Sequence, residues 1–179
     1  ADGVWLVELA DIDPDDEDVT EAIAVGIATI LDMRLTGSAS PIKQLVGHLQ
    51  HKRMLLVLDN FEHVLDGAGL VTDLLQSAPD LQIIATSREK LNLRSETVYT
   101  LGGMRCADDA LSDCEAVQLF TNTARLAQTD FELDEGKVAH ICQLVEGMPL
   151  AIVLAAAWVK VLSLSEITQE ISSSIDFLT

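Results

Sequence analysis

The sequence predicts an α/β fold followed by an all-helical segment. Short, nearly continuous apolar runs at residues 4–9 (VWLVEL), 54–58 (MLLVL) and 81–85 (LQIIA) read as strands. Stretches with helical periodicity separate them. Strands joined by helical crossovers are the signature of a parallel sheet whose strand ends gather on one edge. From Ser112 onward only helical spacing remains. The expected division is therefore an α/β part over residues 1–104 and a helical part over residues 105–179, with the boundary near Arg105.

Residues 4–9 have the composition of a strand buried on both faces. The acidic turn of residues 11–18 follows, and its carboxylates favour the positive end of the next helix. That helix is predicted from Val19, Ala22, Ile23, Gly26, Ile27, Ile30 and Leu31. Pro41 opens a second helix with Ile42, Leu45, Val46 and Leu49 on one face. After the strand at residues 54–58, a helix is expected over residues 61–77, with Val64, Leu65, Val71, Leu74 and Leu75 turned inward and a stop near Pro79. Residues 97–101 (TVYTL) read as a fourth strand.

In the helical part, Ser112 and Glu115 form a capping box. Val117, Phe120, Ala124 and Ala127 line one helix, and Val138, Ile141, Cys142 and Val145 the next. Gly147 and Pro149 end that helix and start another. Residues 150–162 are apolar nearly all round, which predicts a central helix. Ser163 and Glu166 form a second capping box, and the last helix is expected to pack Ile167, Ile171 and Ile175.

The chain has 179 residues, 29 acidic against 11 basic, for a formal net charge of −18. Such a surface repels phosphate backbones and anionic lipids, so direct nucleic-acid or membrane binding by this region is not expected. Hydrophobic residues make up 49% and mean hydropathy is +0.28, yet no apolar run approaches the length of a spanning helix. Cys106, Cys114 and Cys142 lack CxxC spacing, which suits reduced thiols and a cytoplasmic location. No signal-peptide pattern opens the sequence.

The chemistry concentrates in three motifs. In MLLVLDN an apolar strand delivers Asp59 and Asn60 to the ligand-binding edge of the sheet, where a carboxylate can hold Mg²⁺ through water. An Asp that merely caps the next element accounts for this motif equally well. One helix and one strand later, IIATSR delivers Thr86, Ser87 and Arg88 to the same edge. Arginine makes forked contacts with phosphate, and hydroxyls can position water or polarise phosphate. The third motif is Gly147-Met148-Pro149 between two helices, for which chain reversal and helix initiation are a sufficient explanation.

Taken in order, LLVLDNFEHVLD, IIATSRE, CEAVQLF and GMPLAIVLAAA resemble the signal-transduction ATPases with numerous domains, the NB-ARC-like branch of the relatives of AAA+ proteins. The resemblance covers nearly the whole chain. It implies a P-loop NTPase-type parallel sheet, here without its first strand, followed by a helical lid. Asp59 then corresponds to the Walker B carboxylate, with Mg²⁺ held through water. Thr86, Ser87 and Arg88 correspond to a sensor strand, and Gly147 and Pro149 to the lid's GxP motif. ATP or ADP with Mg²⁺ is the implied ligand of the intact parent, a nucleotide-driven switch in a transcription-regulating protein. Its partners are other domains or copies of that parent.

The sequence departs from the family pattern in two ways. The phosphate loop G-x-x-x-x-G-K-[ST] is absent. Gly136-Lys137 is followed by Val138 and has Phe131 where the first glycine belongs. In the family that loop precedes the strand at residues 4–9, so it is expected upstream of Ala1, and this chain alone is expected to bind no nucleotide productively. The strand bearing the loop would lie between residues 81–85 and 97–101. Without it, residues 81–85 either pair directly with 97–101 or present an open edge. Second, Asn60 stands where related ATPases often carry a glutamate base, and Glu62 is the nearest carboxylate. The parent is then a slow ATPase and this chain inactive by itself. The alternative is a nucleotide-independent interaction or oligomerisation module.

Other patterns do not reach significance. Asp11, Asp13 and Asp15 start like an EF-hand loop, but Asp16 and Ala22 occupy the positions that require Gly and Glu. His48, His51, His63 and His140 lack companion cysteines and read as solvated side chains. No G-x-S-x-G elbow exposes a nucleophile.

Overall fold

The computed structural model describes residues 2–104 and 114–176. They divide into two compact units, Ala1–Val98 and Tyr99–Thr179. The first contains a three-stranded parallel sheet in the order β1 (Val4–Glu8), β2 (Met54–Asp59), β3 (Leu81–Ala85). Helices α1 (Val19–Ile30) and α2 (Pro41–Leu49) connect β1 to β2, and α3 (Gly69–Ser77) connects β2 to β3. Parallel pairing sets Leu6 beside Val57 and Val57 beside Ile84, so all three strands end on one edge.

Alternation along the strands separates two faces. Val7, Leu56, Leu58 and Leu81 are buried with Ile23, Ile27, Leu45, Leu49, Val71 and Leu74 of the helices in one continuous core. The opposite face carries Val4, Leu6, Leu55, Val57 and Ile84, and no helix of this unit seals it. Leu6 and Ile84 are each 53% exposed. Parallel sheets are ordinarily covered on both sides, so this one is half-dressed.

Several expectations are met at the level of the residue. Asp18 of the acidic turn caps α1 by accepting the Glu21 amide at 2.9 Å, and Pro41 stands in the first turn of α2, where Ser40, unread as a cap in the sequence, accepts the Lys43 amide at 3.4 Å. Others are corrected. Residues 61–77 are not one helix, because Phe61–His63 and Leu65–Gly67 form 3₁₀ turns and α3 begins only at Gly69. Gly67 passes so close to Ile23 and Val19 of α1 that a Cβ would strike Ile23, and regular helix starts only beyond that crossing.

Residues 97–101 form no strand. β3 pairs with β2 alone and its outer edge is open among the described residues. Thr, Val and Tyr favour strands only when a neighbouring strand and a packed face receive them. Tyr99 and Leu101 instead stand 84% exposed.

The second unit contains α4 (Glu115–Ala127), α5 (Glu135–Leu144), α6 (Pro149–Ala157) and α7 (Leu164–Asp176). Val117, Phe120, Ala124, Val138, Ile141, Cys142, Ile152, Ala156 and Ile167 form its core. Phe120 and Phe131 meet at a 6.3 Å centroid distance. The Ser163–Glu166 capping box is formed, with the Ser163 amide donating to Glu166 at 2.7 Å and the Glu166 amide to Ser163 at 3.4 Å. The Ser112 cap, Arg105, Cys106 and the Ile175 side chain lie outside the described residues.

The helix expected to be central is only half so. Ile152, Ala155 and Ala156 are buried, but Leu150 is 71% and Leu154 56% exposed. A helix that is apolar all round needs neighbours on every side, and this unit supplies them on one. The reduced-thiol reading is corrected as well, because Cys114 is disulfide-bonded and Cys142 is a free, buried thiol. Sequence spacing could not reveal that, since a bridge depends on proximity in space.

Candidate functional site

The shared edge of β2 and β3 is stitched together beyond the strands themselves. The Thr86 amide donates to the Leu58 carbonyl at 3.0 Å and the Phe61 amide to the Thr86 carbonyl at 2.9 Å. The Leu9 amide donates to the Asp59 carbonyl at 3.0 Å, which ties in the end of β1. Asp59, last residue of β2, is therefore fixed in the middle of three strand ends, half-buried.

Its carboxylate is held from one side. The Thr86 hydroxyl donates to Asp59 Oδ1 at 2.5 Å, and the same Thr86 oxygen accepts the Asn60 amide at 3.0 Å. A hydroxyl offers one proton, so accepting from Asn60 directs that proton to Asp59. Oδ2 has no hydrogen-bond partner among the described residues.

Asn60 has φ 65° and ψ 53°, the left-handed conformation that asparagine tolerates better than most residues. Its side-chain Nδ2 meets His63 Nδ1 at 3.1 Å, and His63 Nε2 meets the Leu9 carbonyl at 2.9 Å. A carbonyl can only accept, so Nε2 carries the proton and Nδ1 accepts from the Asn60 amide.

Arg88 extends from the turn after β3 and donates from Nε to Glu62 Oε1 at 2.9 Å. Its side chain is 86% exposed and that of Glu62 13%. Glu62 is held below its ordinary 4.5, first by its own backbone amide and then by Arg88, with desolvation opposing both. The bond occupies Nε and turns the outer nitrogens of the guanidinium toward solvent. Ser87 accepts the Glu89 amide at 3.1 Å and so shapes the turn that carries Arg88.

Five sequence-predicted residues of the first unit, Asp59, Asn60, Glu62, Thr86 and Arg88, are thus linked at one edge, and Ser87 lies in the same turn. Gly147 and Pro149 belong to the second unit. There Glu146 and Gly147 both have positive φ, at 53° and 68°, and the Met104 amide donates to the Gly147 carbonyl at 2.8 Å. A Cβ on Gly147 would collide with Met104, and Pro149 occupies the first turn of α6. Both residues have complete structural roles.

Sequence reasoning missed His63, which is half-buried and bonded through both ring nitrogens instead of solvated. Its place three residues after the Asn that follows a strand is a weak signal, and its second partner, a backbone carbonyl 54 positions away, leaves none.

No family model matches the chain. It is 35% identical over 170 residues, 93% of its length, to a provisionally named HTH-type transcriptional regulator of Mycobacterium tuberculosis, of which it covers 18%. A Mycobacterium bovis protein of the same description matches equally. An uncharacterized protein of M. tuberculosis is 34% identical over 169 residues, 92% of this chain and 40% of that protein. The chain thus spans between 18% and 40% of the length of these curated relatives. Among the described residues no helix is long and apolar enough to cross a membrane.

Proposed function

We infer that this chain is part of the nucleotide-binding switch core of a transcription-regulating protein, and that the β2–β3 edge is where Mg²⁺ and the terminal phosphates are held. The observation that carries the reading is the Thr86 hydroxyl fixed between the Asn60 amide and Asp59 Oδ1. It leaves Oδ2 of a rigid carboxylate to accept from a metal-bound water.

The donor set suits the ion. Mg²⁺ takes hard oxygen ligands and keeps most of its waters, using one or two carboxylates with substrate phosphate in place of a protein cage. Asp59 is such a carboxylate, and among the described residues no group of three or more metal-binding side chains surrounds it. When bound, the ion would neutralise phosphate charge. Arg88, anchored through Nε by Glu62, would present its outer nitrogens to the same anion. Glu62 is committed to Arg88, which favours anchoring over service as a general base.

The open edge of β3 and the uncovered apolar face fit a sheet completed by a strand and helix outside this chain, as the resemblance to P-loop regulatory ATPases requires. The named relatives favour a regulator. With 29 acidic residues, any DNA contact would belong to other parts of the protein. The uncovered face also supports a second reading, a nucleotide-independent interaction module.

Calorimetry of Mg·ATP with the whole protein separates the two. Mg²⁺-dependent binding that weakens at least tenfold in Asp59→Ala supports the switch core. Absence of nucleotide binding by the whole protein supports the interaction module.

A further inference from the structure

We propose that His63 is a positioning residue for the Asp59 carboxylate, acting through Asn60 and Thr86. The inference rests on the reading of Asp59 as the metal-side carboxylate, but its evidence is separate. Four hydrogen bonds run in series from the end of β1 to the end of β2. His63 Nε2–H donates to the Leu9 carbonyl at 2.9 Å, and Asn60 Nδ2–H donates to His63 Nδ1 at 3.1 Å. The Asn60 backbone N–H donates to Thr86 Oγ1 at 3.0 Å, and Thr86 donates to Asp59 Oδ1.

Each link constrains the next. The Leu9 carbonyl selects the Nε2–H tautomer, which makes Nδ1 an acceptor. That acceptor holds the Asn60 side chain while its backbone sits at φ 65°, a conformation disfavoured for residues with a Cβ. The left-handed turn aims the Asn60 amide at Thr86, and the occupied lone pair on Thr86 sends its proton to Asp59. His63 is thus three bonds removed from the carboxylate and sets which of its two oxygens faces outward. Outer partners of this kind fix the orientation of ligands they never share.

The test measures Mn²⁺ binding to the 179-residue chain by electron paramagnetic resonance, taking as the site only the binding that Asp59→Ala removes. His63→Ala should weaken that component about tenfold, within the range found for outer-shell residues. Asn60→Gly keeps the positive φ and the backbone amide but deletes Nδ2, and should weaken it similarly. His63→Gln should recover most of the affinity, because its amide can donate to Leu9 and accept from Asn60. Nitrogen-15 spectra of the imidazole should report the Nε2–H tautomer. A His63 that served only to hold the fold would lower thermal stability without changing the affinity of the folded chain.

Two outcomes cut differently. If Asp59→Ala abolishes a Mn²⁺ site while His63→Ala and Asn60→Gly bind as the parent does, the positioning role is overturned and the metal reading stands. If Asp59→Ala leaves Mn²⁺ binding unchanged, the metal reading is overturned and the positioning role with it.

Discussion

The Thr86 hydroxyl lies 2.5 Å from Asp59 Oδ1 and accepts the Asn60 amide on its other side. Two polar groups, one from the last residue of β2 and one from the residue after it, therefore depend on one side chain from the turn after β3. Thr86→Val retains the shape and removes both bonds, leaving a backbone amide and a carboxylate oxygen short of partners. Thr86 is exposed, so water can replace part of what is lost, and a loss of about 0.5–1.5 kcal/mol is expected from urea unfolding. Thr86→Ser should recover most of it, and a loss in Thr86→Ser as large as in Thr86→Val would show that the methyl group matters as much as the hydroxyl.

Glu62 and Arg88 give a pH signature. The folded carboxyl lies below its ordinary 4.5, so the unfolded chain binds the proton more readily. The stabilisation is present above the unfolded value and is lost as pH falls through the lower folded one. Carbon-13 titration of Glu62 should give a midpoint below 4.5 that moves upward in Arg88→Ala. No movement would mean that the backbone amide alone holds it down.

Gly147 should tolerate no replacement. Its φ of 68° and the crowding by Met104 act together, so Gly147→Ala is expected to cost about 1–3 kcal/mol from backbone conformation alone, before the clash is counted. Thermal melts of the chain would register this as a clear fall in midpoint. An unchanged midpoint would rule out the Met104 contact.

Burial pushes the Cys142 thiol up to about 11 from 9.0. At pH 8 that leaves about a hundredfold less thiolate than in an unperturbed cysteine. Alkylation of Cys142 should accordingly be slow in the native chain and fast in denaturant, with peptide mapping as the readout.

What the sequence disclosed follows from which forces are local. β2 and β3 were legible because each apolar run breaks at a polar residue, and parallel crossover rules then bring Asp59 and Arg88 to one edge without further information. The cap at Ser163 was legible for the same reason, since its partner lies three residues on. Residues 97–101 failed because strand propensity needs a neighbour, which the described residues do not provide. The start of α3 failed because it is set by Gly67 passing beneath α1, a contact between distant segments. His63 was set aside as solvated because its Leu9 partner is a backbone atom, which leaves no mark in side-chain spacing. The exposed Leu150 and Leu154 were read as core because apolar composition reports the need for burial and not what supplies it.

The most direct test of the central claim is paramagnetic broadening of backbone amides by Mn²⁺·ATP, which detects even weak binding by the 179-residue chain. The account predicts broadening greatest at Asp59, Asn60, Thr86 and Arg88 and removed by Asp59→Ala. Broadening spread evenly over the acidic surface, or centred elsewhere and indifferent to Asp59→Ala, would contradict it.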